Sequence, residues 1–228
     1  MKNIKTASHG LALTLATWAA VMVPQAHAGD AYGAIGFPGI TLGYAHPVTD
    51  AVKLRGEYSG GLTINRSGVR EGADYEGKFK AQSIGGFADY YPFSNGFRLT
   101  GGITFNDTKF NLSAKGGTNS NATINGKTVN LNGETLNVDV TYPAVTPYLG
   151  IGWGSNPTRG KGWGFHTDLG FTIGKFDAKT NTTIVGKNSA GQGLVTQADV
   201  DAQNNKLRDS LGKLPVLPKL TVGVSYTF

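Results

Sequence analysis

The stretch Leu220-Thr-Val-Gly-Val-Ser-Tyr-Thr-Phe228 decides the fold. Leu220, Val222, Val224, Tyr226 and Phe228 fall on one side of an extended chain, and Thr221, Gly223, Ser225 and Thr227 on the other. Side chains of a strand alternate with period two, so this pattern predicts a strand with one apolar face and one small, polar face.

The same pattern recurs upstream. Val52, Leu54, Gly56, Tyr58, Gly60 and Leu62 oppose Lys53, Arg55, Glu57 and Ser59. Phe97, Leu99, Gly101, Ile103 and Phe105 oppose Arg98, Thr100, Gly102, Thr104 and Asn106. Trp163, Phe165, Thr167, Leu169, Phe171 and Ile173 oppose Gly164, His166, Asp168, Gly170, Thr172 and Gly174.

A water-soluble sandwich would also alternate. Three features favour a barrel in a membrane. The strands run to about 10 residues or more, as a tilted membrane strand requires. Their polar face is rich in glycine, which suits a narrow interior. Aromatic residues gather beside the short turns, as at a membrane interface: Tyr44, Tyr90, Tyr91, Phe93, Phe97, Trp153, Trp163, Tyr226 and Phe228.

Composition bounds the alternatives. The chain has 228 residues, 34 of them Gly and 9 Pro, with no Cys. Thiolate chemistry and cysteine-bound metals are thereby excluded. Mean hydropathy is −0.19, and the only long apolar run is Leu11–Val23 near the start, so spanning helices are excluded. That run follows Lys2 and Lys5 and precedes Ala26-His27-Ala28, which reads as a signal peptide over 1–28 with the mature barrel over 29–228. Removing Lys2 and Lys5, and no acid, lowers the net charge from +6 to +4. No basic cluster marks a nucleic-acid partner.

Connection lengths predict the topology. Short turns lie near 46–50, 93–96 and 154–161, and long polar connections near 63–73, 114–138 and 179–215. Barrels of the outer membrane have short periplasmic turns and long external loops. Counting back from Phe228 requires an upward strand, Asp30–Gly36, turning at Phe37-Pro38-Gly39 into Ile40–His46; the alternative is one bent strand over 31–46. The expected fold is all-β: an eight-stranded antiparallel transmembrane barrel with long extracellular loops. The last strand closes it against Asp30–Gly36.

Asn125-Gly126 and Asn132-Gly133 are hairpin signals within the second connection. Thr196–Lys213 reads as a short helix before the last strand. Thr196 and Asp199 form its capping box, and Val200, Leu207 and Leu211 share a face. It packs on the loops or in the mouth, or is an excursion without a role. Two phase slips predict bulges near Gln82–Ile84 and near Asp107.

Several stretches resemble small proteobacterial outer-membrane barrels. Phe87-Ala88-Asp89-Tyr90-Tyr91-Pro92-Phe93, followed by Phe97-Arg98-Leu99-Thr100-Gly101-Gly102, resembles their strand–turn–strand unit. Pro147–Trp153 and Val222–Phe228 resemble further strands. The second half, with its helical stretch before the final strand, is similar to CarO-like proteins, and Thr41–Gly60 to OmpW-like barrels. The resemblance implies an outer-membrane location and a small channel, with uptake of small polar or basic solutes proposed for CarO-like members. It also implies that the aromatic end, Phe228, addresses the chain to the barrel assembly machinery. Expected partners are outer-membrane lipid, lipopolysaccharide and small polar solutes; the chain is expected to be a monomer.

The alternation predicts which charges face the lumen: Lys53, Arg55, Glu57, Lys78, Lys80, Asp89, Arg98, His166, Asp168 and Lys219. Charges within a membrane span face water or one another. Of these, Lys53, Arg55, Glu57, Lys78, Lys80, Arg98, His166 and Asp168 are the candidates for a solute path. An eight-stranded lumen is just wide enough to be filled by side chains, so a salt-bridged plug of Arg55, Glu57, Arg98 and Asp168 competes with that path. The basic excess favours anions, whereas the family likeness suggests basic solutes, and the cargo stays open.

A lipid-modifying enzyme is the third reading. His166 and Asp168 share a strand face and lack only a serine to make a hydrolase set. Both point into the lumen rather than to lipid, and no Gly-x-Ser-x-Gly is present. The expectation is no enzyme, no cofactor and no metal.

Overall fold

The structure, a computed structural model, describes residues 29–70, 73–93, 95–117, 120–189, 193–211 and 215–228. The signal peptide expected over 1–28 lies outside the described residues, as does Ser94 in the turn at 93–96. In chain order the elements are β1 (Asp30–Phe37), β2 (Gly39–Thr49), β3 (Val52–Arg70), β4 (Ala73–Tyr90), β5 (Phe97–Asn106), β6 (Lys109–Gly116), β7 (Asn121–Ile124), β8 (Lys127–Asn130), β9 (Thr135–Thr141), β10 (Val145–Trp153), β11 (Gly162–Ile173), β12 (Asp177–Thr182), β13 (Asn188–Ser189), β14 (Gly193–Leu194), α1 (Gln197–Leu211) and β15 (Val216–Thr227).

Among the described residues eight strands form a closed ring, in the order β1, β2, β3, β4, β5, β10, β11, β15 and back to β1. The closing pairing is antiparallel, from Asp30↔Thr227 to Phe37↔Leu220. The first hairpin is therefore two strands turning at Pro38, not one bent strand. At the turn, Gly39 has φ +127°, and a side chain there would meet the Gly60 carbonyl oxygen at 2.2 Å, so only glycine fits.

Outward residues make an apolar belt. On β11, Trp163, Phe165, Leu169, Phe171 and Ile173 are 71, 55, 55, 41 and 38% exposed. Their spread of about ten residues, tilted as barrel strands are, covers about 25 Å of height, which matches the apolar band of a membrane barrel. Below it, Trp163–Tyr226 and Tyr226–Phe228 form edge contacts with centroids 5.2 and 5.4 Å apart, and Phe93 lies 5.9 Å from Phe97. Tyr91 departs from the expected girdle: it is 5% exposed and turned inward.

Above the belt the wall continues on one side only. The upper halves of β3 and β4 pair with each other, β4 pairs next with β6, β6 with β9, and β9 with β12. Residues 63–70 are thus strand rather than a polar connection.

The predicted bulges resolve differently from expectation. Register slips between Ser59 and Leu62, where Gly60 and Gly61 face Gln82. The extra residue sits on β3, where Gly61 has φ +87°, while β4 keeps its odd residues inward throughout. At Asp107 there is no slip: Ser83↔Asn106 and Lys80↔Lys109 keep one register.

What changes there is the surroundings. Along β5 the outward residues are Leu99, Gly101, Ile103 and Phe105; along β6, on the same face, they are Lys109, Asn111, Ser113 and Lys115. Their partners on β9 include Asp139 and Asn137, hydrogen-bonded to Asn111 (2.5 Å) and Ser113 (2.6 Å). Phe110, Leu112, Val138 and Val140 take the inner face. In lipid the outer face must be apolar; above it the outer face meets water. The polarity inverts without an inserted residue, and the inversion marks the upper edge of the apolar belt near Gln82–Ile84 and Phe105–Asp107.

The long connections fold into an external platform. Ile124, Val129, Leu131, Ile184, Val195 and Val200, each at most 2% exposed, share a core. Asn125-Gly126 makes the β7–β8 hairpin with φ of +49° and +83°. Asn132-Gly133 joins β8 to β9, which pair with different strands, so it is a turn but not a hairpin. The capping box on α1 forms: Thr196 N donates to Asp199 Oδ2 (2.9 Å), and Asp199 N donates to Thr196 Oγ1 (3.3 Å). Lys127 donates to the same carboxylate (2.8 Å) and is the first cause of its being held well below the usual carboxylate range. The helix therefore packs on the loops, with Arg208 paired to Asp177 (2.6 Å).

Candidate functional site

Period-two alternation brings the inward residues of β1, β3, β4, β5, β11 and β15 together in the lumen. Lys53, Arg55, Glu57, Asp89, Arg98, His166, Asp168 and Lys219 are all buried, between 0 and 7% exposed. Lys78 and Lys80 are not among them. They lie on the outward face of β4 above the boundary, and Lys80 pairs with Asp107 at 3.0 Å. Their misplacement follows from the expected slip on β4, which lies instead on β3.

Arg55 is the hub. Its Nη1 donates to Glu57 Oε2 (2.8 Å) and Asp168 Oδ2 (2.9 Å), and its Nε donates to Asp89 Oδ2 (2.9 Å). Arg98 shares both aspartates: Nη2 donates to Asp168 Oδ1 (2.8 Å), and Nε lies 3.6 Å from Asp89. Thr100 donates to Asp89 Oδ1 (2.7 Å), and His166 Nε2 lies 3.0 Å from Asp168 Oδ2. Lys219 pairs with Glu57, and Lys53 with Asp30. Lys53 also donates to the Ser155 carbonyl at 2.8 Å.

Four cations, Lys53, Arg55, Arg98 and Lys219, thus meet four carboxylates, Asp30, Glu57, Asp89 and Asp168. The expected basic excess is absent once Lys78 and Lys80 lie outside and Asp30 is counted. Buried ions persist only when paired and hydrogen-bonded, and this set supplies its own partners.

Sequence reasoning missed the neutral half of the lumen. The Tyr32 hydroxyl donates to Glu57 Oε2 (2.8 Å) and accepts from Arg55 Nη1 (3.2 Å). Its ring stacks on His166 with centroids 3.9 Å apart. Phe87 lies under the Arg55 guanidinium at 4.6 Å and meets Tyr148 edge-on at 5.0 Å. Inward glycines admit these rings. A Cβ at Gly43 would lie 2.2 Å from Tyr32, at Gly85 2.3 Å from Phe87, and at Gly170 2.3 Å from the Tyr148 hydroxyl. The signal was available for Tyr32, which alternates with Ala31 and Gly33. Alternation places Phe87 in phase with Asp89 and Tyr148 opposite Leu149 and Ile151, but an aromatic residue reads first as lipid-facing.

Among the described residues, two small internal spaces flank these groups. One, of about 20 Å³, lies on the platform side, bordered by Glu57, Phe87, Tyr148 and Lys219. The other, of about 10 Å³, lies on the side of the short turns, bordered by Tyr32, Tyr91, Ser155 and His166. Each is about the size that holds a single water. Arg55, Asp89 and Arg98 border the second space, and Asp168 accepts from both arginines. His166 and Asp168 point into this packed lumen, and the nearby Ser155 and Ser225 hydroxyls bond one another at 3.2 Å.

The geometry defines a class: a closed eight-stranded antiparallel barrel with an apolar outer belt, an ion-paired lumen and a folded platform on one end. Among solved structures, the fold is similar to that of Acinetobacter baumannii CarO2, with a TM-score of 0.61 and 22% identity over 88% of this chain and 98% of that one. It is similar also to Acinetobacter baumannii CarO, with a TM-score of 0.58 and 20% identity over 87% and 97%. No protein-family model matches the sequence, and no curated protein does.

Proposed function

We propose that this protein is a bacterial outer-membrane barrel, exported through a leader over 1–28, whose lumen is closed at rest and whose external platform is the working surface. The observation that carries this reading is the Arg55–Asp89–Arg98–Asp168 network, which among the described residues has a water-sized space on either side. The platform supports it: six buried apolar side chains give the long connections a core of their own, which a loop needed only to join strands does not require.

The second reading is a narrow channel for ions or small polar solutes. The charged lumen favours it, with Lys53, Arg55, Glu57, Arg98, His166 and Asp168 lining the path once the network parts. Proteoliposome flux separates the two. With the full chain reconstituted, a small neutral sugar and a basic amino acid are expected to leak no faster than from empty vesicles. Flux that saturates with solute and falls on Arg98→Ala would establish the channel instead.

A further inference from the structure

On the lipid-facing wall, β3, β4 and β5 leave a recess. Gly56, Gly86 and Gly101 form its floor, and Tyr44, Ile103 and Phe105 stand at its sides, with the recess broadly open outward. At Gly56 and Gly86 nothing lies within 4 Å of where a side chain would begin. Ala31 and Gly33 also face outward on β1, but beside Tyr44 and Leu42; here Gly56 pairs directly with Gly86, and Ala88 with Gly101. A groove of this kind, in hydrocarbon, gains dispersion contacts only when a chain lies in it.

The same strands carry a second, independent feature. Above the boundary, Lys80 of β4 pairs directly with Lys109 of β6, and Lys78 is one outward position further on. Like charges directly opposite one another across strands are unfavourable. Only Asp107 stands between them, at 3.0 Å from Lys80 and 2.7 Å from Lys109. Each ammonium has three protons to donate, so both retain donors, and Lys78 makes no side-chain pairing among the described residues. Along the Lys78 row Asp139 follows Asn111 and faces Lys179, and along the Lys80–Lys109 row Asp177 follows Thr141 and pairs with Arg208; further out come Glu76, Asp74 and Lys115. The cationic excess therefore sits in the two rows nearest the membrane.

Phe105 precedes Lys109 by four residues and Gly86 follows Lys80 by six. These are spans of about 13 and 20 Å along the strands. After strand tilt they amount to about 10 to 15 Å of height, the distance from acyl chains to headgroup phosphates.

From this alignment we propose that the outer wall of β3–β6 is a binding site for the phosphorylated glycolipid of the outer leaflet, lipid A. One acyl chain lies in the glycine-floored groove, and phosphates meet Lys78, Lys80 and Lys109. This proposal rests on the outer-membrane reading above, which makes the platform end external. Lipid A is favoured over a glycerophospholipid because the lysines span two rows, enough for more than one phosphate.

Native mass spectrometry of the folded full chain in detergent tests it, with three probes: bis-phosphorylated lipid A, dephosphorylated lipid A and phosphatidylglycerol. Bis-phosphorylated lipid A is expected to be retained at least about tenfold better than either of the others, given a contribution near a factor of five per basic residue. Combined replacement Lys78→Gln, Lys80→Gln and Lys109→Gln is expected to cut retention by about five-fold for each lysine removed. Gly86→Leu fills the groove without touching charge and is expected to reduce retention as well. Heat-modifiable gel mobility confirms that each variant is folded, and the lysine variant stands alone if Gly86→Leu does not fold. Equal retention of the dephosphorylated probe or of phosphatidylglycerol would overturn the proposal, as would unchanged retention by the lysine variant. The assay needs only a folded barrel, so its failure leaves the closed-lumen reading untouched, and solute flux leaves the lipid site untouched.

Discussion

Arg55→Ala is expected to cost the barrel about 3–5 kcal/mol of stability, the usual loss when one partner of a buried ion pair is removed. Arg55 is 3% exposed and donates to Glu57, Asp89 and Asp168 at once. Truncation leaves carboxylates without their common partner and Phe87 without the guanidinium above it. Arg55→Lys is expected to recover only part of the loss, because an ammonium cannot fork between carboxylates as a guanidinium does. Lys78→Ala and Lys80→Ala, outside the lumen, are expected to stay within about 0.5 kcal/mol of the parent. Urea titration of the refolded protein, followed by heat-modifiable gel mobility, reads all four. Equal effects of Arg55→Ala and Lys80→Ala would remove Arg55 from its place at the centre.

The second large effect lies in the platform. Ile184 is 0% exposed in the platform core, among Ile124, Val129, Leu131, Val195 and Val200. Ile184→Asp removes a branched side chain and places a carboxylate where nothing pairs with it, at a cost of at least about 3 kcal/mol. The platform meets this core through Leu136 of β9 and joins the barrel through the β9–β6–β4 ladder, whereas the ring closes through pairings that involve none of these six residues, so the ring is expected to stay closed. Limited proteolysis should then cut within 117–135 and 183–200 while the barrel fragment keeps its folded gel mobility. Cleavage no different from the parent would show that these six residues do not hold the platform; loss of the barrel as well would show that platform and ring fold as one unit.

These two sites also show what the chain discloses before it folds. β11 and β15 were legible because each stays within one environment, so one polarity rule holds from end to end: Trp163 to Ile173 outward, His166 and Asp168 inward. β4 and the passage from β5 into β6 were not, because they run from the apolar belt into the polar wall above it. The rule inverts there, and an inversion looks like a slipped register. Alternation therefore assigns Lys78 and Lys80 to the lumen and predicts a bulge at Asp107, where the ladder is continuous. The real bulge, at Gly60–Gly61, lies in a run where small residues hide the change of phase. The lumen charges on β3, β5 and β11 were found by alternation alone. Whether they leave a path was not, since that depends on how Phe87 and Tyr148 seat against glycines on neighbouring strands. Asp30 was placed at a strand start but not recognised as the partner of Lys53, a contact that exists only because β1 and β3 lie two strands apart in the ring.

Single-channel recording bears on the closed lumen most directly. The folded full chain, inserted in a planar bilayer in simple salt, should show no conductance steps above the bare membrane at moderate voltage. Steps should appear only when the packing is opened, as in a variant carrying both Arg98→Ala and Asp168→Ala, which removes one cation and one anion together. Discrete, reproducible steps from the parent protein, altered in size by Arg98→Ala alone, would contradict a closed barrel and establish the lumen as a path.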